Sequence, residues 1–591
     1  VLGSSLAYLT SDLFMKLLFH TVKYLKPVQV FGRIWFRLYR PPVNQALRLT
    51  RRTVTGPWLT PCKKVASFLG TSEFRFLNHT RSCVFPGDWN NPEWDKLWLY
   101  NLHYFDDLQA AGADRKQAQH AGLIDAWIKG NPPGQGNGWE PYPTSLRIVN
   151  WIKWILAGNM PSSNILESLA IQAGCLRKRL EIHLLGNHLF ANAKALVFAG
   201  LFFRGREADE WLKKGLKILG REVSEQILPD GGHFERSPMY HAIILEDLLD
   251  LVNVMRAFGH QVPHGWEEKV GEMISWLCGM CHPDGDIALF NDAAFGIAAV
   301  PEALVAYAGR LGLGRGTGWV IGTGFGIQTE TGMEGAALER PNSSLFKQFT
   351  DTGYIRWEKG PAIAFLDVGP VGPDYLPGHA HADTLSFELS LFGQRVVVDT
   401  GTSCYGTGHE RHRQRGTAAH NTVTINNENS SEVWGGFRVA RRARPLNLDI
   451  AGAEKGALKE GLPRTVACSH TGYCRLPGRP VHRRCWTLTE TFFEITDEIQ
   501  GPFENAVARF HFHPDVEILG TSSTNTLQLC LCNGQKISIT LKNSKFNITE
   551  STWHPEFGVT RPNKCLEAPF HQNTLTTTIN WGSDPVNLLI L

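Results

Sequence analysis

The sequence predicts an α+β chain in two large parts, a half built of helical hairpins and then an antiparallel β-sandwich. Up to about residue 340 the apolar residues recur at helical spacing. Beyond a glycine-rich stretch from Gly314 to Gly335 they alternate with a period of two. Length agrees, since 591 residues are too many for one ordinary domain and suit two or three. The expected division is a helical N-terminal extension over 1–80, a helical domain over 81–340 and the sandwich over 341–591.

The elements follow in chain order. Leu13, Met15, Leu17, Leu18 and Phe19 form an apolar segment flanked by charges, too short and broken to span a membrane. Without a clean signal peptide ahead of them, and with Val1 first, a processed or truncated start is expected. Trp94, Leu97, Trp98, Asn101, Leu102, Phe105 and Leu108 mark one helix, and Leu146, Val149, Trp151, Ile152 and Ile155 a second. Long apolar helices are predicted from His188 to Phe203 and from His241 to Phe258. Turn signals separate them at Asn131-Pro132-Pro133-Gly134, Pro229-Asp230-Gly231-Gly232 and Pro283-Asp284-Gly285. Thr352–Trp357, Ile363–Asp367 and Val507–Phe512 read as strands.

Composition narrows the function. A hydrophobic share of 43% with 19% charged residues describes a globular chain, and a net charge of +3 does not announce a nucleic-acid binder. Arginines cluster locally, at Arg411, Arg413 and Arg415, at Arg438, Arg441, Arg442 and Arg444, and at Arg483 and Arg484, which suits a polyanion of modest charge density. The 18 tryptophans hint at sugar-binding faces. Twelve cysteines lack disulfide-like density, and buried free thiols lean towards a reducing compartment.

The polar constellations carry the chemistry. Phe387–Phe392 and Arg395–Asp399, joined at Gly393-Gln394, read as a hairpin that returns Asp399 towards His381, with Thr422–Ile425 as a third strand after His420. His381, Asp399 and His420 would then converge as an N/O ligand set for one divalent metal, zinc first, with manganese or calcium as alternatives. Asp383 is an alternative ligand to Asp399, but it is expected to orient a histidine instead. Asn187 opens a helix, where it could serve as an N-cap, but its neighbour His188 has no such role. The run from Asp230 to His241, with Glu235, Arg236 and Tyr240, packs too many polar groups for a core and belongs in a cleft. Arg147 and Asn150, following Trp139 and Tyr142, form a patch suited to a sugar ring.

Together Asn187-His188, the Asp-Gly-Gly loop ending in Tyr240, His379-Ala380-His381-Ala382-Asp383 and Arg415-Gly416-Thr417-Ala418-Ala419-His420-Asn421 resemble the heparinase II/III-like polysaccharide lyases. Asn101-Leu102-His103-Tyr104 is similar to that family's early helix, so the resemblance covers about residues 90 to 440. The loop before His420 departs from it, reading Arg-Gly-Thr where Arg-Ser-Thr is commoner. The resemblance implies an incomplete α/α toroid before the sandwich and β-elimination on a uronate-containing polysaccharide. It implies catalytic roles for Asn187, His188, Tyr240, His379 and Tyr405, with Trp139, Arg147, Asn150, Glu235, Arg236 and Arg415 binding substrate. The metal would be structural. The expected partner is an acidic polysaccharide, with no nucleic acid and no membrane, in a monomer or homodimer placed in the periplasm or outside the cell. Two rivals stay open. A hydrolase would pair two carboxylates such as Asp230 and Glu235, and a binding protein would keep the fold without turnover. No His-Glu-x-x-His occurs to support a metalloprotease.

Overall fold

The computed structural model describes residues 11–314, 320–321, 327–328, 345–451 and 464–582. Most of the glycine-rich stretch proposed as the boundary lies outside the described residues. The architecture is an incomplete α/α toroid followed by an antiparallel β-sandwich.

The helices in order are α1 (Ser11–Val22), α2 (Pro27–Leu38), α3 (Lys96–Tyr104), α4 (Gln117–Gly130), α5 (Pro141–Leu156) and α6 (Ser163–Lys178). They continue with α7 (Gly186–Phe202), α8 (Arg206–Gln226), α9 (Pro238–Ala257), α10 (Trp266–Gly279), α11 (Pro301–Arg310) and the short α12 (His409–Arg415). The four helical segments read from the sequence correspond to α3, α5, α7 and α9. Helix α7 is buried on every side because α5, α8 and α9 surround it. Gly200 and Gly215 allow α7 and α8 to touch, since a Cβ at 200 would lie 2.6 Å from Leu212 N and one at 215 would lie 2.8 Å from Val197 Cγ2.

The N-terminal extension is only partly helical. Phe68–Gly70, Glu73–Phe76 and His79–Ser82 form a three-stranded antiparallel sheet. The alternation of exposed Glu73 and Arg75 with buried Phe74 and Phe76 dictates it, and Phe76 meets Trp98 edge-on at 5.1 Å.

The sandwich has three main sheets. Leu345–Phe349, Tyr354–Lys359, Ala362–Asp367, Phe387–Leu391 and Gln394–Val397 make a five-stranded meander. Val423–Ile425 pairs instead with Ala506–His511 in a four-stranded sheet, which corrects its expected place beside the hairpin. An eight-stranded sheet completes the fold, and Phe387, Val423, Trp486 and Phe510 pack together between the layers. The expected tryptophan-lined cleft is absent among the described residues. Trp89, Trp127, Trp151 and Trp211 fill the toroid, Trp276 packs against Phe349 and Tyr354, and among the described tryptophans only Trp434 reaches the large cavity.

Candidate active site

A cavity of about 1820 Å³ runs between the toroid and the sandwich. Asn187, His188, Glu235, Tyr240, His379 and Tyr405 all line it, although they come from positions 218 residues apart.

Local backbone sets each of them. Leu185 (φ 62°) and Gly186 (φ 53°) turn the chain sharply into α7, and Leu185 takes the cap position. Residue 186 must be glycine, because a Cβ there would lie 2.5 Å from Leu376 Cδ2 and 2.9 Å from Glu235 Oε1. Asn187 therefore stands inside the first turn and lines the cavity instead of capping the helix. Ser237 caps α9 by accepting from Tyr240 N (3.2 Å), and Pro238 begins the helix, so Tyr240 projects from its first turn. Ser237 Oγ also donates to Asp292 O at 2.6 Å, tying this helix start to the loop behind His379.

Asp292 is the hub, and the sequence reading missed it. Its buried carboxylate accepts from His379 Nδ1 (2.9 Å), from His381 Nε2 (2.9 Å) and from both terminal nitrogens of Arg411. Burial alone would raise its pKa, but Arg411 and the two imidazoles outweigh that and hold the carboxyl well below the usual range. The available signal was Asn291-Asp292 standing in an otherwise apolar loop, Ile287 to Phe295. Since Nδ1 of His379 donates to Asp292, Nε2 carries the lone pair. That nitrogen lies 3.6 Å from Glu235 Oε2.

The two tyrosines face each other, with Tyr240 and Tyr405 hydroxyls 2.9 Å apart. Burial, then the neighbouring tyrosine, raises Tyr240 well above its ordinary pKa, and burial does the same to Tyr405. Arg411 is committed to Asp292. Tyr240 and His379 do not flank a space. Their ring centroids are 3.9 Å apart with the planes tilted by 30°, so a sugar ring cannot lie between them, and both approach it from one wall.

His188 stacks on Tyr142 at 4.5 Å and lies 3.3 Å from Glu181, without hydrogen-bond alignment. Burial works against its charge, but Glu181 outweighs that and raises the pKa. Glu235 is 3% exposed, without a side-chain hydrogen-bond partner, and burial raises its pKa against the opposing pull of His379, His188 and the Asn187 backbone.

Several predicted sugar contacts lie elsewhere. Arg147 is fully buried against Trp127 (3.8 Å), donating to Gln172 Oε1 at 2.9 Å. Trp139 is buried beside it and donates to Asn131 O. Arg236 donates to the carbonyls of Thr352 and Asp351, and Arg415 to those of Ala380, Gly435 and Gly436. All four do structural work outside the cavity. Asn150 lines it, with its amide on Tyr104 O and Asp106 Oδ1. Most of the clustered arginines are paired with acids, although Arg438 and Arg441 line the cavity. Arg413 pairs with Glu410, Arg441 with Glu432, Arg442 and Arg444 with Asp374, and Arg484 with Asp497. Asp230 accepts from Gly232 N, Asp351 N and Thr352, away from the cavity, so the carboxylate pair of a hydrolase is not assembled.

The metal prediction meets a mixed result. Among the described residues no three His, Cys, Asp or Glu side chains stand as a ligand set. His381 Nδ1 and His420 Nε2 are nonetheless buried without a hydrogen-bond partner, on rings 5.2 Å apart, and two orphaned imidazole nitrogens fit a metal ion. Asp399 is otherwise engaged, accepting from His420 Nδ1 (2.7 Å) and Gly401 N (3.0 Å). It orients a histidine, the part expected of Asp383. Asp383 lies nearby with its pKa raised to about 6, by burial first.

Comparison with known proteins follows this geometry. The family model described as Heparinase II/III N-terminus matches residues 91–307, and the one described as Heparinase II/III-like, C-terminal matches residues 341–582. A heparin-sulfate lyase of Bacteroides stercoris is 24% identical over 453 residues, 73% of this chain and 62% of that protein. The chain thus spans less than two thirds of that relative's length. FtsZ-localized protein C of Caulobacter vibrioides is 24% identical over 443 residues, 71% of this chain and 70% of that protein. A crystal structure of heparinase III superposes with a TM-score of 0.66 at 19% identity, covering 86% of this chain and 80% of that one.

Proposed function

The chain belongs to the heparinase II/III-like family, and we propose that it is a polysaccharide lyase, cleaving a uronic-acid-containing glycosaminoglycan of the heparan sulfate, hyaluronan or chondroitin type by β-elimination. One observation carries this reading. Asn187, His188, Tyr240, His379 and Tyr405 share one cavity, with the His379 tautomer fixed by Asp292.

The reaction needs three things of the protein. The uronate carboxylate must be neutralised, because negative charge builds there as the C5 proton leaves. The Asn187 amide and His188, whose charged form Glu181 favours, supply this, beside Glu235, whose carboxyl burial pushes upward. The proton must go to a base, and His379 Nε2 offers a lone pair. The C5–H electrons then form the C4=C5 double bond, the C4–O4 bond breaks, and O4 takes a proton from Tyr240. Tyr240 is neutral in the free site, as a general acid must be, and the Tyr405 hydroxyl at 2.9 Å can return a proton to it.

Charge bears on the polymer. Among the described residues, cations and carboxylates line the cavity in equal number, nine of each. Such a cleft suits a chain whose main charge is the uronate itself, and alginate or a bacterial exopolysaccharide remains the alternative of the same chemistry. We further propose that His381 and His420, with Asp399 orienting the second ring, hold one divalent ion, zinc before manganese or calcium. Bound there, it would pin the loop that presents His379, and the reaction would proceed on protein side chains alone.

A second reading, a polysaccharide-binding protein without turnover, draws on the relative of Caulobacter vibrioides, whose name is not that of an enzyme. Incubation with heparan sulfate, hyaluronan, chondroitin and alginate separates the two. A lyase releases unsaturated oligosaccharides that absorb in the ultraviolet. Binding with no such product from any polymer would overturn the proposal.

A further inference from the structure

Helix α2 is amphipathic in the reverse sense to that of a helix packed on a protein body. Its inward face is polar and small. Gln29 donates to Tyr375 O at 2.9 Å, and Gly32 lies against His183. Phe36, half-buried, completes this face at 4.4 Å from the His183 ring, with the Arg179 guanidinium over its own ring at 4.1 Å. Val28, Phe31, Trp35 and Leu38, the residues at apolar helical spacing, point away. Phe31 is 70% exposed, Trp35 59% and Leu38 78%, with Ile34 exposed beside them. Helix α1 differs on its inner face, which is apolar, but it too leaves large apolar residues outside. Leu17 is buried near Trp434, while Met15, Phe19 and Val22 are exposed.

Large exposed apolar residues on two successive helices call for an occupant. Charge indicates which one. Residues 11–40 hold Lys16, Lys23, Lys26, Arg33, Arg37 and Arg40 against the single acid Asp12. Trp35 and Tyr39 stack at 4.7 Å on the exposed side, and such amphipathic rings favour the boundary between lipid headgroups and acyl chains. An apolar stripe bordered by arginines and interfacial aromatics is the pattern of a helix lying in a bilayer surface. Neither helix is long and apolar enough to cross a membrane. A surface-lying helix departs from the expectation that no membrane is a partner.

We propose that α1 and α2 dock the protein on an anionic lipid surface, with Phe31, Trp35 and Leu38 entering the headgroup region and Lys23, Arg37 and Arg40 meeting the lipid phosphates. The inner faces of the same helices line the cavity through Leu17, Thr21 and Gln29, so docking would bring the cleft close to the surface. The proposal does not depend on the lyase reading.

The full chain would be sedimented with vesicles of phosphatidylcholine alone or mixed with phosphatidylglycerol. The expected result is binding at least about tenfold stronger to the anionic vesicles, weakening as salt rises. Phe31→Glu, Trp35→Glu and Leu38→Glu combined should abolish it. Arg37→Glu with Arg40→Glu should remove the anionic preference. Melting temperature and turnover of a soluble polymer should be unchanged in both variants, since none of these residues lines the cavity. Failure to bind either vesicle, or equal binding by the triple variant, would overturn the proposal. So would light scattering that shows a dimer abolished by the triple substitution in a protein that binds no vesicle, because a second copy would then cover the face.

Discussion

At the scale of single residues, the proposed mechanism divides the site into groups that touch substrate and groups that hold them. It places Tyr240 in the first. Tyr240→Phe removes one oxygen and keeps the ring on His379, so folding and polymer binding should survive while turnover falls by on the order of 10²–10⁴. Near-normal turnover in this variant would remove Tyr240 from the mechanism. Tyr240 and His379 on opposite faces of the sugar would make His379 matter most for iduronate. Their rings, 3.9 Å apart, argue against that arrangement. With both groups on one wall, His379→Ala should slow glucuronate and iduronate chains to a similar degree, measured as kcat/KM on defined oligosaccharides of each epimer. A loss confined to iduronate would restore the two-face arrangement. Asp292 shows why part of the site was illegible. Its partners His379, His381 and Arg411 lie 87 to 119 residues away, so no local pattern marks it. Arg147 and Arg415 misled for the converse reason. A buried guanidinium satisfied by carbonyls or an amide looks, in sequence, the same as one on a surface.

At the scale of elements, legibility followed periodicity. Helices α5, α7 and α9 were readable because each buries a long apolar run, and the hairpin Phe387–Leu391 with Gln394–Val397 because strand and turn signals coincide. The sheet to which Val423–Ile425 belongs was not readable, since its partner Ala506–His511 is set by packing between layers. The consequence is that His420 meets Asp399 across two sheets, and a metal at His381 and His420 would tie those sheets together. Elemental analysis should therefore find about one divalent ion per chain, and His381→Ala should lower metal content and melting temperature together. A metal-free protein that melts at the same temperature with and without added zinc would contradict this. A second buried cluster makes the sandwich sensitive to acid. Asp497 accepts from Arg484 and His482, and although burial opposes its charge, Arg484 holds its pKa at about 2. A depressed carboxyl stabilises the fold fully above its unfolded value near ~3.8 and loses that contribution as pH falls through the folded value. The contribution is on the order of 2 kcal/mol. Urea unfolding should show Asp497→Asn strongly destabilised at pH 7, with the gap to wild type narrowing between about pH 4 and pH 2. A gap that stays constant over that window would mean that Asp497 is not the titrating group.

At the scale of the whole molecule, function depends on a cavity that neither half encloses alone. The toroid supplies Asn187 and Tyr240, the sandwich His379 and Tyr405, and α1 and α2 form a third wall through Leu13, Leu17, Leu18, Thr21, Leu25 and Gln29. The two helices reach the body through side chains at both ends of the cleft. Thr21 accepts from Trp434 Nε1 at 3.0 Å on the sandwich side, and Lys26 pairs with Glu225 on the toroid. The main cores draw on neither helix, since the toroid core begins at Cys62 and the sandwich core at Ile355. Removing residues 1–38 should then leave both cores and the catalytic wall intact while opening the cleft. The reacting groups keep their positions, so the loss falls on binding shared by ground state and transition state, which raises KM and leaves kcat nearly unchanged. A tenfold rise in KM corresponds to ~1.4 kcal/mol of lost binding, a plausible share for one wall of a polymer cleft. Steady-state kinetics of the truncated protein, together with its melting temperature, tests this. A collapse of kcat at unchanged melting temperature would show that the helices position the catalytic wall instead, and a large fall in melting temperature would show that they belong to the folding core.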